Sequence, residues 1–450
     1  MTGANYLIEE GDPSTGSGST RILVDCGLRQ GSSFSEKQNW EPFPYNPAEI
    51  QAVFITHSHI DHIGRLPWLV KNGFKGKIYS TPPARGAAEL LLTDSEHIFN
   101  QEAERLKLPP LYNIDDVAKT MELWEGIEYH KEIAIGDLRV TFYNAGHILG
   151  SSFILVQNNP NDPEQRRRIV FSGDLGNSPA PLIGMKENLP EVDYCLIEST
   201  YGGRVHEDLE KRKEIVEDLI EDTAKNNGVL MIPAFAMERT QELLFEINKL
   251  VEEKRVPRMP IFLDSPLAIK LTDVYKKYSD YLVQGSPSAG SGQGLGLEFS
   301  DLKKTLTTEE SKTINEVPPP KVVIAGSGMS HGGRILHHEK RYLPDPNSTL
   351  LIIGYQASGS LGRKILDGEK TVRIHGEDVA VKCRVTAIGG YSAHADQPQL
   401  LSWLKPQRVN LQKIFVIQGE EDQSIALVQK IKDELAVEAE VPELGKEYLL

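Results

Sequence analysis

An α/β architecture in two or three domains is what this sequence predicts, on three observations. Its 450 residues exceed one domain at roughly 150 residues each. Short apolar runs of strand length recur along the chain and end abruptly in polar or glycine-rich tips. Amphipathic helical patterns lie between some of them. With 39% of residues in the hydrophobic set and 38 Gly, the chain has the makings of a sizeable core, which excludes overall disorder.

The strand-like runs are ILVDCG (22–27), VFITHSH (53–59), IVFSGDLG (169–176), LIEST (196–200), VLMIPAF (229–235), IFLDSP (261–266), VVIAGSG (322–328), LIIGYQ (351–356) and IFVIQGE (414–420). Buried strands of α/β sheets carry function at their C-terminal ends, so the polar tips are where chemistry is expected. Residues 206–228 place Ile215, Val216, Leu219, Ile220 and Ala224 at helical spacing and stop at Asn227-Gly228, a helix ending in turn residues. Residues 237–254 align Leu243, Leu244, Ile247, Leu250 and Val251 on one helical face. The stretch 284–298 is rich in Gly and Ser without periodicity and predicts a mobile loop.

The net charge of −15 disfavours binding nucleic acid through a broad positive field, so any such partner must be held locally. Three cysteines, Cys26, Cys195 and Cys383, are too few and too scattered for a disulfide framework, which predicts a cytoplasmic location. The first residues, MTGANYLIEEGD, carry acidic groups where a signal peptide carries basic ones, and no run approaches the ~18 apolar residues of a membrane span.

The segment THSHIDHIGRLPWL (56–69) holds three imidazoles and a carboxylate within six positions, in a chain with only 12 His. His57 and His59, two apart on extended backbone, project to one side, while Asp61 and His62 sit at the turn into a helix and can face a neighbouring point. One segment can thus serve two cations. More ligands must come from elsewhere, and two later tips offer them: His147 in NAGHILGSS (144–152) and Asp174 in FSGDLG (171–176). Taken alone these two read as a buried histidine and a turn aspartate. Their order behind the histidine segment changes that.

THSHIDH, AGHILGSS and FSGDLG, in that order, resemble the metallo-β-lactamase superfamily, a four-layer αββα sandwich with a dinuclear zinc site at one edge of two sheets. LIESTYGGR (196–204), IPAFAMERTQELL (232–244), FLDSPLA (262–268), AGSGMSHGGRILHH (325–338), GYQASGSLGR (354–363) and GGYSAHAD (389–396) are similar to the β-CASP nucleases of that superfamily, on the bacterial and archaeal RNA-processing branch that also resembles the mRNA 3′-end cleavage endonuclease. The resemblance covers nearly the whole chain. It implies a metallo-β-lactamase domain over 1–205 and 373–450, an inserted α/β β-CASP domain over 206–372, and a substrate cleft between them. MTGANYLIE resembles the tail of the family's opening element, with a first strand missing or shortened.

The resemblance also implies roles. His57, His59 and His147 hold the first metal, Asp61 and His62 the second, and Asp174 bridges, with two Zn2+ lowering the pKa of bound water and absorbing phosphate charge. His394 in SAHAD corresponds to the proposed general acid, and Glu198 in LIEST to the carboxylate that orients it; Asp61 is placed with them in the catalytic set. Where the RNA-acting members carry a further metal-ligating histidine, this chain has Gln418. An amide oxygen is a poor zinc ligand, so the resemblance implies a second site that is weak or filled by Mn2+. In GSGMSHGGR, Ser327, Ser330, His331 and Arg334, with glycine backbone N–H groups, are expected to bind substrate phosphate, which would answer the negative charge.

The expected activity is metal-dependent hydrolysis of phosphodiester bonds in single-stranded RNA, endonucleolytic or 5′ exonucleolytic. No membrane is involved, and a homodimer or an RNA-processing partner protein is compatible with the sequence. The competing expectations are a catalytically silent RNA-binding homologue, favoured by Gln418 and opposed by the other ligands, and a DNA nuclease of the same family.

Overall fold

The structure, a computed structural model, describes all residues except 1–2, 12–18, 30–36, 159–164, 207–208, 284–294, 355, 357–358 and 389–390. The glycine- and serine-rich stretch expected as a loop thus lies, up to 294, outside the described residues. Two compact units emerge: 1–205 with 394–450, and 206–393. Residues 373–393, assigned on the sequence to the first domain, lie in the second unit.

In the first unit the chain runs through β1 (Tyr6–Glu10), β2 (Thr20–Val24), β3 (Ala52–Phe54), β4 (Lys77–Ser80), β5 (Trp124–Gly126), β6 (Ile133–Ile135), β7 (Leu138–Asn144), β8 (Ser152–Gln157), β9 (Arg168–Phe171) and β10 (Tyr194–Glu198). The second unit contributes β11 (Val229–Pro233), β12 (Ile261–Asp264), β13 (Leu302–Lys304), β14 (Lys321–Ala325), β15 (Thr349–Ile353), β16 (Thr371–Ile374), β17 (Glu377–Ala380) and β18 (Arg384–Ile388). The chain then returns to the first unit with β19 (Lys413–Ile417) and β20 (Ala439–Glu440). The helices used below are α1 (Ile60–Ile63), α2 (Pro82–Leu106), α3 (Leu209–Lys225), α4 (Arg239–Glu252), α5 (Ile335–Tyr342), α6 (Gln397–Leu404) and α7 (Glu421–Leu435).

Two sheets build the first unit: β1-β2-β3-β4-β5, and β20-β19-β10-β9-β8-β7-β6. Ile22, Val24, Ala52 and Phe54 of the first sheet pack against Val140, Phe142, Ile154, Val156 and Phe171 of the second in one buried cluster. In β7 the burial alternates, as strand pleating requires when one face meets a core. The opposite face of the second sheet is covered by α6 and α7 through Leu400, Trp403, Leu404, Leu427 and Ile431, and α2 packs against β5 beside the first sheet. The α/β sandwich of two sheets with outer helices is the expected fold class. β10 and β19 run parallel with Glu198 opposite Ile417, so the tips LIEST and IFVIQGE end side by side.

The second unit is centred on the sheet β13-β12-β14-β11-β15-β18, parallel throughout. β11, β14 and β15 are wholly buried, which is why they read as continuous apolar runs rather than alternating ones. The two helices predicted over 206–228 and 237–254 form as α3 and α4. No helix among the described residues is long and apolar enough to cross a membrane.

Candidate metal centre

β3 ends at Phe54 and delivers His57, Ser58 and His59 on extended backbone before α1, whose N-cap is His59. The turn is pressed against the ILVDCG tip: a Cβ on Gly27 would stand 1.5 Å from the Asp61 carbonyl oxygen, so only glycine lets the two segments approach. The AGHILG and SGDLG tips meet in the same way, with a Cβ on Gly176 falling 1.7 Å from the Gly146 carbonyl oxygen.

These segments bring four side chains to one point. His57 Nε2 lies 3.1 Å from His59 Nδ1 and 3.3 Å from Asp174 Oδ2. His147 Nε2 lies 3.3 Å from His59 Nδ1 and 3.5 Å from Asp174 Oδ2. Donors on a tetrahedron about a zinc ion at ~2.1 Å stand about 3.4 Å apart, so the spacing is that of a cation cradle. Burial is the leading cause that holds His57 and His147 well below the usual histidine range, and it brings His59 down to about 4. All three are therefore neutral imidazoles at neutral pH, the form that ligates metals.

Asp174 addresses two sides. Its Oδ1 faces His62 Nε2 at 3.4 Å, while Oδ2 faces the other histidines. Burial opposes its charge, but His62 and His57 outweigh that and draw its carboxyl well below the usual range. His62 Nε2 is buried against Asp174 Oδ1, and a cation bound there would take the place of the proton between them. Asp61 is buried and its charge acts on His59 and Tyr6, although it stands outside the tightest group of potential ligands.

Sequence reasoning missed Asp25, at the end of β2 in a left-handed backbone conformation, φ 59°. It accepts hydrogen bonds from Thr56 N and Oγ1 at 2.8 Å each and faces His62 Nδ1 at 2.7 Å. That contact fixes which His62 nitrogen carries hydrogen and leaves Nε2 toward Asp174. Burial opposes charge on His62, but Asp174 and Asp25 raise its pKa well above the usual value. The available signal was an aspartate at the polar tip of ILVDCG.

His394 and Glu198 are brought together. His394 Nδ1 lies 3.1 Å from Glu198 Oε2 and 3.9 Å from Asp174 Oδ2. Glu198 is fully buried and accepts from Leu175 N at 2.6 Å, while Gly176 forms a bridge with His394 and Ala395 N donates to Leu175 O at 2.7 Å. Asp174, Glu198 and His394 form a second close group. Gln418 follows β19 in left-handed backbone, φ 58°, with its carbonyl accepting from Thr200 Oγ1 at 3.1 Å.

The expected phosphate-binding residues lie in the second unit, and two of them turn inward. Ser330 is buried and donates to Glu339 Oε1 at 2.5 Å. Arg334 spends its guanidinium on Asp264 Oδ1 and the carbonyls of Thr305 and Leu306. The Ser330 N–H bonds to Ser327 O, and the His331 and Gly332 N–H groups to Ser327 Oγ. The Ser330 and Arg334 side chains and several N–H groups of the loop are thus engaged within the unit; of the four residues His331 alone is exposed.

Comparison with known proteins gives three domain matches: a metallo-beta-lactamase superfamily domain over 17–164, a Beta-Casp domain over 240–365, and a Zn-dependent metallo-hydrolase RNA specificity domain over 378–442. The chain is 36% identical over 415 residues to Ribonuclease TTHA0252 of Thermus thermophilus, covering 91% of this chain and 90% of that one. It is 31% identical to an RNase J-like protein of Methanocaldococcus jannaschii over 94% and 93% of the two chains. Transcription termination factor FttA of Methanosarcina mazei is 30% identical over 93% of this chain and 66% of its own length. A crystal structure of a protein of unknown function from Enterococcus faecalis shares the fold, with a TM-score of 0.56 at 13% identity over 100% of this chain and 97% of the other.

Proposed function

The chain belongs to the β-CASP family of metallo-β-lactamase-fold hydrolytic nucleases, and from that premise we propose that it hydrolyses phosphodiester bonds of single-stranded RNA at a two-zinc centre. The observation that carries the reading is the convergence of His57, His59, His147 and Asp174, whose potential ligand atoms all lie within 4.8 Å of one another, four of the pairs at 3.1–3.5 Å. His57, His59, His147 and Asp174 would hold one cation, and Asp61, His62 and Asp174 the other. Bound there, such ions supply Lewis acidity and an activated water.

The residues of the chain do the rest. Asp25 orients His62, and Thr56 Oγ1, 3.1 Å from His57 Nδ1, fixes the first imidazole. Glu198 holds His394 through Nδ1 at 3.1 Å, which orients the imidazole to give the proton that a leaving 3′-oxygen needs. Negative charge elsewhere on the molecule argues that RNA is held close to the cations.

The test is elemental analysis of the purified protein alongside cleavage of labelled single-stranded RNA, duplex RNA and single-stranded DNA. Two zinc per chain with selective cutting of single-stranded RNA supports the reading, and Asp174→Ala should lose both metal and cleavage. A wild-type-like rate for that variant sinks the metal assignment, and preference for DNA sinks the substrate assignment.

A further inference from the structure

Lys186 is carried to the edge of the candidate centre by its backbone. Its neighbour Glu187 is tied to the end of β7: Glu187 N donates to Asn144 O at 2.9 Å, and Asn144 N donates to Glu187 Oε1 at 2.7 Å. A Cβ on Gly146, one residue before His147, would stand 2.6 Å from Lys186 N, so glycine is what lets this segment lie so close. From that anchor the half-buried side chain donates through Nζ to Gly176 O at 2.8 Å and to Gln399 Oε1 at 3.2 Å. Both acceptors belong to the segments that deliver His394. Gly176 forms the backbone bridge with His394, beside which Ala395 N donates to Leu175 O. Gln399 stands in the first turn of α6, just beyond the SAHAD tip, where its N–H donates to Asp396 Oδ1 at 3.1 Å and its Nε2 to Asn177 Oδ1 at 2.8 Å.

An ammonium is costly in such a place, because burial disfavours the charged form. Burial draws the Lys186 pKa down to about 8, and the charges of Glu198 and Asp396 oppose the fall. An apolar side chain would avoid that cost. What it would lack is the pair of directed bonds, one to the DLG segment and one to the SAHAD segment. We propose that Lys186 is a positioning residue for the general acid: by bonding to Gly176 and Gln399 together, it fixes the backbone bridge that sets where the His394 imidazole stands. Its two hydrogen bonds go neither to a proposed metal ligand nor to the imidazole, so it acts through the backbone. This rests on the reading of His394 as donor of the proton that the 3′-oxygen takes up as its bond to phosphorus breaks.

The experiment compares the zinc-loaded wild type with Lys186→Met, Lys186→Arg and His394→Ala in single turnover on two substrates. One is single-stranded RNA, whose 3′-oxygen needs a proton to leave; the other is bis(p-nitrophenyl) phosphate, whose nitrophenolate leaves without one. A misplaced acid slows only the step that uses it. Lys186→Met should therefore cut RNA roughly 10–100-fold more slowly, while its rate on the nitrophenyl diester stays within a fewfold of wild type and its bound zinc is unchanged. Lys186→Arg keeps a cation with directed donors and should recover part of the RNA rate. Gln399→Leu removes one of the two acceptors; it should show a smaller loss of the same kind, and it decides the question if Lys186→Met does not fold. An equal fall on both substrates, a loss of zinc, or an unchanged RNA rate would overturn the inference, the first two because the lysine would then serve the fold or the centre as a whole. His394→Ala keeps this apart from the reading beneath it. If that variant loses more on RNA than on the diester and Lys186→Met does not, only the role of Lys186 falls; if His394→Ala shows no such selectivity, the general acid is withdrawn and Lys186 with it.

Discussion

His394 Nδ1 faces both Glu198, at 3.1 Å, and Asp174, at 3.9 Å, so removing the imidazole deletes a proton donor while His57, His59, His147 and Asp174 themselves stay in place. His394→Ala should therefore slow cleavage by about 10²–10⁴-fold while bound metal stays at the wild-type level. A rate within a fewfold of wild type, measured in single turnover, would take His394 out of the chemistry. Asp25 acts one step further back. Asp25→Asn keeps the shape, but the amide can present N–H to His62 Nδ1 and favour the wrong tautomer, so affinity for a cation at His62 should fall roughly 10–100-fold. Metal titration of that variant indistinguishable from wild type would show that His62 needs no such orientation.

At the scale of elements, helix α5 carries a cost that pH exposes. Glu339 is fully buried, and burial pushes its carboxyl up to about 7 against a usual 4.5 despite the Ser330 hydroxyl that bonds to it. A raised carboxyl pKa gives stability that is complete below pH 4.5 and is lost as pH rises toward 7, because the folded state keeps a proton the unfolded chain has released. Glu339→Gln cannot ionise, so its stability relative to wild type should grow by up to about 3 kcal/mol between pH 4.5 and 8. Denaturation curves of the two proteins that run parallel across this window would show that Glu339 ionises normally. Such buried polar groups were not legible in the sequence, where Ser330 and Arg334 read as phosphate donors. Glycine spacing announces a tight loop but not which way its side chains face. By contrast the tips of the strands were legible: His57, His59, His147, Asp174, Glu198 and His394 come together as their order suggested, because an apolar run that stops at a polar tip specifies both the strand and the end at which chemistry sits. Asp25 escaped because one aspartate at a strand tip is common.

Across the whole molecule, the first unit holds the candidate centre entirely within 1–205 and 394–450, while the second unit is built on its own sheet and core cluster. The centre gathers three imidazoles, a further histidine and Asp174 around one point, an arrangement that only the folded chain has, so metal is expected to bind the folded state and not the unfolded one. At a free metal concentration a thousandfold above the dissociation constant, that linkage adds about 4 kcal/mol. Stripping the protein with a chelator should therefore destabilise the first unit selectively. Hydrogen exchange read by mass spectrometry should speed up in peptides spanning 53–62, 144–152 and 171–176, the segments that carry the ligands, and readdition of zinc should restore protection. Peptides covering β11, β14 and β15 should exchange at the same rate with and without metal, since no residue of the cluster belongs to their unit. Equal loss of protection in both sets would mean that the metal's contribution is not confined to the unit that binds it. No change in either would mean that the histidine cluster is stable without a cation, and the case for a metal centre would then fail at its physical root.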